Sequence, residues 1–301
     1  MRIGLPATSD SLDVIIAQAR SLEADGFTSL WFGGGILGDP LAGMTVVGRE
    51  TTTLELGTSV LQTYPCHPLL QANRAASVAN AIGRSFTLGI GPSHAPLVEG
   101  MYGMSYEHPG RSTEEYATIV APLLRGEPVD FDGDDWSAHS PGVRVSHPVP
   151  LLLSAMSPRM LRIAGELADG TITFLAQAKA LETHVVPRIR AAAAAAGRPE
   201  PRVVAGVQLA VHDDVNEVRA TVDARAAILD PLPNYQRILA ASGYERTADA
   251  AIGGDEQAVK RQLQNVIDAG ATDIWACPIP VGDDPESSLR RTMDTLRELL
   301  G

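Results

Sequence analysis

Cysteine is nearly absent: Cys66 and Cys277 are the only two in 301 residues, and they lie far apart. Such a pair offers neither a disulfide framework nor a four-ligand metal site, so both read as free thiols and no metal is expected. No apolar run approaches the ~20 residues needed to span a bilayer. The opening residues, MRIGLPATSD, lack a basic region followed by an apolar stretch and a small-residue cleavage site. With no export signal visible, a cytoplasmic location is expected. Positive charge is also scarce, 24 Lys and Arg against 36 Asp and Glu, for a formal net charge of −12. Without a segregated basic patch, that balance repels nucleic acid phosphates and anionic membranes. Small molecules are the expected partners. An anionic one would depend on main-chain N–H groups, helix N-termini and a few selected arginines.

What is present is an ordinary globular composition, 45% hydrophobic and 20% charged. Short apolar segments alternate with amphipathic ones along the whole chain. Strands are expected at Arg2 to Pro6, Ser29 to Phe32, Leu54 to Leu61, Phe86 to Gly91, Val149 to Ser154, Gly170 to Phe174, Arg202 to Val211 and Thr272 to Cys277. Helical spacing follows each of them, as in Leu12 to Ala24, Leu69 to Ile82, Arg159 to Ala168 and Lys179 to Ala196. Repeated βα units predict a parallel sheet, read here as a single α/β domain over residues 1–301, a (β/α)8 TIM barrel. A doubly wound open sheet fits the same alternation. Two irregular stretches, Gly126 to Pro148 and Asp230 to Gly254, read as insertions near the barrel mouth.

Barrel enzymes work at the C-terminal ends of their strands, and four such places carry distinctive residues. LELGTSVLQTYPCHP, Leu54 to Pro68, takes a strand through Gly57, Thr58 and Ser59 into a Pro-flanked turn; spacing alone makes it a strand ending in a loop. In FTLGIGPSH, Phe86 to His94, Gly89 and Gly91 would let the backbone approach a ligand, with Pro92, Ser93 and His94 at the strand exit. VPLLLSAMSPRM, Val149 to Met160, delivers Ser154, Ala155, Met156 and Ser157 to a helix start with Pro158 in its first turn and Arg159 adding positive charge. After Phe32 the glycines Gly33, Gly34 and Gly35 leave space or make a flexible turn.

The strings LGTSVL, the YxxHP turn and LGIGPSH resemble the luciferase-like monooxygenase superfamily, especially its branch dependent on the deazaflavin coenzyme F-420, over essentially the full chain. The resemblance implies a luciferase-type TIM barrel, a homodimer burying helices such as Leu69 to Ile82, and an oxidoreductase transferring hydride between coenzyme F-420 and a small organic substrate. It also implies a non-prolyl cis peptide between Ser59 and Val60 behind the cofactor ring. By the same resemblance Gln62, Gly91, Pro92 and Ser93 touch the cofactor. Ala155, Met156, Ser157, Arg159 and Met160 would bind its side chain and phosphate, and His94 would stand at the acid/base position. An imidazole titrates near neutral pH, which suits proton transfer, although a merely hydrogen-bonded His94 fits as well.

The chain departs from the branch where many relatives carry an Asp-His pair: here Gly33 to Asp39 supply none. Reduction of an activated C=C or C=N bond is therefore expected over alcohol oxidation. A monooxygenase using FMN, and a cofactor-binding protein without catalysis, remain open.

Overall fold

The computed structural model describes residues 1–9, 11–34 and 38–300. Its strands, in chain order, are β1 (Ile3–Pro6), β2 (Ser29–Phe32), β3 (Glu55–Thr58), β4 (Leu61–Gln62), β5 (Leu88–Gly91), β6 (Val129–Asp132), β7 (Ser137–Ser140), β8 (Leu151–Leu153), β9 (Gly170–Phe174), β10 (Arg202–Val211), β11 (Ile252–Gly254) and β12 (Asp273–Pro278). In the main sheet neighbours run β3-β2-β1-β12-β10-β9-β8-β5-β4, every pairing parallel. The ring closes where Thr87 N–H donates to Leu56 O at 2.8 Å and Thr58 N–H to Thr87 O at 3.1 Å, tying β3 to the chain entering β5. Closure excludes the doubly wound alternative. With β3 and β4 as two halves of one position, the fold is a (β/α)8 TIM barrel.

The helices form as their spacing predicts. In Pro68–Ile82 the buried positions Ala72, Ala75, Ala76 and Ala79 recur at helical intervals and turn one face to the barrel. His67 starts this helix, its Nδ1 accepting the Leu69 N–H at 3.2 Å, and Gly83 ends it at φ 72°.

At the N-terminal end of the barrel, inward-facing first residues of the strands form a closed ion cluster. Arg202 Nη1 reaches Glu55 Oε1 at 2.5 Å and its Nη2 reaches Asp273 Oδ1 at 2.7 Å. Arg2 bridges the same two carboxylates at 2.8 Å each. Above it the guanidinium of Arg202 lies 5.6 Å from the centre of the Trp31 ring. Trp31, Leu152, Ile172 and Val204 then form a dry layer across the barrel. Glycine makes room for the indole, since a Cβ at Gly57 would lie 2.4 Å from Trp31 Cζ3.

Several expectations need correction. The expected strand Leu54 to Leu61 is interrupted at Ser59–Val60, a cis peptide that divides it into β3 and β4. The stretch Gly126 to Pro148 is not irregular throughout: β6 and β7 pair as an antiparallel hairpin beside the helices Pro68–Ile82 and Pro109–Leu124. Its turn is pinned at the start of the latter helix, where Trp136 Nε1 donates to Ser112 Oγ at 2.9 Å and Glu115 accepts the N–H groups of Asp135 and Trp136. The stretch Asp230 to Gly254 does reach the mouth, but as ordered structure: the helix Pro233–Ser242, a 3₁₀ turn Thr247–Ala250 and β11. The helix Ala95–Tyr102 was not among the expected helices. Among the described residues no helix is long and apolar enough to cross a membrane.

Candidate active site

The mouth lies at the C-terminal ends of the strands. Val60, just past the cis peptide, and Trp275 on β12 rest partly buried on the Trp31 layer. The glycines of β5 serve this arrangement. A Cβ at Gly89 would lie 2.0 Å from Thr58 O, and one at Gly91 would lie 2.9 Å from Ser154 Cβ and 3.1 Å from Val60 Cγ2. What they admit is therefore the neighbouring backbone and Val60, where the letters alone suggested a ligand. Gly34 behaves likewise, a Cβ there meeting Val60 O at 2.1 Å, whereas Gly33 faces open space. Gly35, Ile36 and Leu37 lie outside the described residues.

Past β5 the chain turns sharply. Ser93 holds a left-handed φ of 64°, and its carbonyl accepts the Tyr106 hydroxyl at 2.7 Å. His94 then begins the helix Ala95–Tyr102 with its ring 5.5 Å from that of Tyr235. Burial pushes the imidazole below its ordinary pKa, so it is neutral at physiological pH. Gln62, at the end of β4, accepts the Tyr102 hydroxyl at 2.6 Å on its side-chain oxygen.

The third cluster forms at the exit of β8. Ser157 caps the helix Pro158–Leu167, its hydroxyl accepting the Met160 N–H at 3.4 Å. Pro92, Ser157, Arg159 and Met160 come together as walls of one open cleft of about 480 Å³, with Tyr106, Glu107, Arg111, Asn234 and Arg237 among its other walls. Arg159 is held by Glu114 at 3.0 Å, and Glu114 is shared with Arg162 at 2.7 Å. Arg111 pairs with Asp134 and Asp135. Arg237 hydrogen-bonds Asn234 and has no carboxylate partner among the described residues. With Glu107 in the lining and carboxylates matched to Arg111 and Arg159, the feature that favours an anion is Arg237 beside a helix N-terminus.

Two expected residues are engaged elsewhere. Ala155 is fully buried, and both its N–H and its carbonyl are hydrogen-bonded to Thr171 Oγ1. Met156 packs against the core while its carbonyl accepts His184 Nε2 at 2.7 Å. Cys277 faces the upper barrel, but burial pushes its thiol up to about 12, which removes it as a nucleophile at neutral pH. Among the described residues no His, Cys, Asp and Glu side chains group as a metal site.

Sequence reasoning missed Phe174, Gln208, Trp275, Tyr106, Tyr235 and Arg237. The first three were within reach, since each sits on an inward-facing strand position near a C-terminal end: Val204 belongs to the Trp31 layer, so Gln208 follows by alternation. Arg237 and Tyr235 had no such signal, because their helix read as irregular.

Comparison with known proteins places this geometry. The chain is 29% identical over 253 residues to a 5,10-methylenetetrahydromethanopterin reductase of Methanolobus tindarius, covering 82% of this chain and 76% of that one. It is 28% identical over 286 residues to an F-420-dependent glucose-6-phosphate dehydrogenase of Nakamurella multipartita, covering 85% and 84%. The structure of coenzyme F-420-dependent tetrahydromethanopterin reductase from Methanopyrus kandleri superimposes with a TM-score of 0.78 at 19% identity, covering 100% and 99% of the two chains. The family model described as luciferase-like monooxygenase matches residues 2–301, and with the closed barrel and the divided third strand this settles the kinship: the chain belongs to the luciferase-like monooxygenase family.

Proposed function

We propose that this protein is an oxidoreductase that holds coenzyme F-420 and transfers hydride between its deazaflavin and a small organic substrate, reducing a C=C or C=N bond. The observation that carries the reading is the cleft in which Pro92, Ser157, Arg159 and Met160 meet, opening beside the mouth floored by Val60 and Trp275. The donor set fits the cofactor. The start of Pro158–Leu167 with Arg159 and Arg237 suits a phosphate and an anionic side chain, and the apolar floor suits the flat ring system. When bound, the deazaflavin supplies the hydride. The chain orients it, excludes water, and places His94 where a proton can be held near the substrate. A likeness of 28% over 286 residues to an enzyme named for F-420 supports the cofactor.

The deciding experiment is a fluorescence titration of the protein with F-420 and separately with FMN. Clear F-420 binding with weak FMN binding is expected. The reverse outcome would favour the monooxygenase reading, and binding of neither would overturn both. Ser157→Asp places a like charge at the proposed phosphate position and should weaken F-420 about tenfold or more, leaving the melting point near that of the parent. A homodimer through Pro68–Ile82, where Leu70 is 54% exposed, belongs to the same proposal. Sedimentation should then give twice the 31.8 kDa of the chain.

A further inference from the structure

One helix faces both the cleft and His94. In the first turn of Pro233–Ser242, Asn234 and Arg237 line the cleft, while Tyr235 between them sets its ring 5.5 Å from His94 and 6.2 Å from Phe174 on β9. The two ends of this helix are held differently. Its C-terminal half is anchored: Ile238 and Leu239 are buried in the core, Ser242 Oγ accepts the Gln177 N–H at 3.2 Å, and Gly243 ends the helix at φ 87°. The first turn hangs on less. It follows a bend between Pro231 and Pro233, and Leu232 at the N-cap offers it no side-chain acceptor. Gln236 donates to Asp230 O at 3.1 Å within the same segment, and Arg237 pairs with Asn234 of its own turn. Across the cleft, by contrast, Pro158–Leu167 is capped by its own Ser157. An uncapped first turn frays, and an anion brings what a capping side chain brings, acceptors for the free N–H groups and negative charge at the positive end of the helix.

We propose that the helix Pro233–Ser242 couples the cleft to His94: an anion held by Arg237 caps and orders its first turn, and Tyr235 on that turn then fixes the imidazole. The main chain beside His94 is already held, since Tyr106 in the cleft bonds the Ser93 carbonyl at 2.7 Å, so the ring depends on Tyr235 for its packing. Arg237 is accordingly a positioning residue that acts through Tyr235. The anion shifts the helix only by its preference for the ordered turn, and a capping group gives a preference of about fivefold. The coupling describes regulation of the site assigned above and rests on that assignment for the identity of the anion, the charged part of the cofactor.

The test uses the full chain with sulfate as the probe, against chloride at matched ionic strength. Amide hydrogen exchange is followed over residues 234–239, together with the imidazole proton resonance of His94, assigned by its loss in His94→Gln. Saturating sulfate should slow the exchange about fivefold and shift the His94 resonance. Arg237→Leu should weaken sulfate about fivefold or more. Tyr235→Ala should still bind sulfate and show the slowed exchange, but lose the sulfate-dependent shift of His94. Leu232→Asp supplies the cap from the chain itself, so it should slow exchange without sulfate and weaken sulfate about tenfold by like charge. An unmoved His94 resonance in the sulfate-bound parent would overturn the proposal. So would a full His94 response in Tyr235→Ala, or no sulfate binding at about 50 mM. Repeating the titration with F-420 separates the two readings. F-420 that binds without slowing exchange or moving His94 overturns the coupling and leaves the cofactor assignment standing, whereas a full response to sulfate with no binding of F-420 does the reverse.

Discussion

The hydroxyl of Tyr106 donates to the main-chain carbonyl of Ser93 across 2.7 Å, and Ser93 is one of two non-glycine residues with positive φ among those described. A left-handed conformation costs an L-residue about 1–2 kcal/mol, so surrounding contacts must hold it. Tyr106 is such a contact. It packs on Tyr64 with ring centres 5.5 Å apart and lines the charged cleft, joining the turn after β5 to the cofactor's proposed phosphate end.

Tyr106→Phe keeps the ring and deletes the bond, a loss of about 1 kcal/mol. F-420 affinity should fall about fivefold by fluorescence titration, with a melting point within about 3 °C of the parent. Unchanged affinity would remove Tyr106 from the positioning of Ser93.

At the opposite end of the barrel, Asp273 has a side chain only 3% exposed and accepts from Arg2, Arg202 and Thr272. Burial opposes its ionisation, but the hydrogen bond and charge of Arg202, then Thr272 and Arg2, outweigh it and hold the carboxyl below its ordinary 3.8. The unfolded chain therefore binds this proton first as pH falls. The stabilisation is fully present above about pH 4 and is lost as pH drops through the lower folded value. Asp273→Asn leaves two guanidinium groups short of a carboxylate and should cost about 3 kcal/mol in urea melts at neutral pH. The gap between parent and variant should narrow in acid; a constant gap would mean the carboxylate charge contributes nothing.

Much of this molecule was legible in its letters. Short apolar runs and period-3.6 patterns marked all eight barrel positions, because strands such as Leu88–Gly91 are buried on both faces and helices such as Pro68–Ile82 on one. Periodicity could not establish closure of the ring, which depends on long-range bonds such as Thr87 to Leu56. Pro92, Ser157, Arg159 and Met160 were placed by family resemblance and do converge on one cleft. Ala155 was not legible as a core residue, since only the hydroxyl of Thr171, 16 positions on, takes up its main-chain groups. Arg237 arrives on a helix whose Pro231, Pro233 and Asn234 read as loop. The glycines of β5 carried a real signal with the wrong cause, close approach to Thr58 and Val60.

That close approach has a counterpart lower in the barrel. A methyl group at Gly57 would fall 2.4 Å from Trp31 Cζ3, in a layer whose other members are also fully buried. Gly57→Ala should therefore destabilise by about 1–3 kcal/mol despite the better strand propensity of alanine. Adding Trp31→Leu should recover part of that loss, since the smaller side chain vacates the space. Strict additivity of the two changes in denaturant melts would show that the indole does not meet the new methyl.

His94 gives the prediction that separates a structural from a chemical role. Burial in the mouth lowers its pKa below the ordinary 6.5, while the unfolded chain titrates near that value. Between the two values the unfolded state holds more protons than the folded one. This residue's contribution to stability is therefore full above pH 6.5, falls as pH drops through 6.5 toward the folded pKa, and stays lost below it. His94→Gln should remove that portion of the stability profile whatever the residue does in the reaction. If His94 also exchanges a proton with the substrate, kcat/KM should show a limb with a midpoint below 6.5, and the variant should lose both the limb and about 100-fold in rate. A variant that alters the stability profile yet keeps the parent's rate and its pH dependence would leave His94 a packing partner of Tyr235 and assign the proton to solvent or substrate.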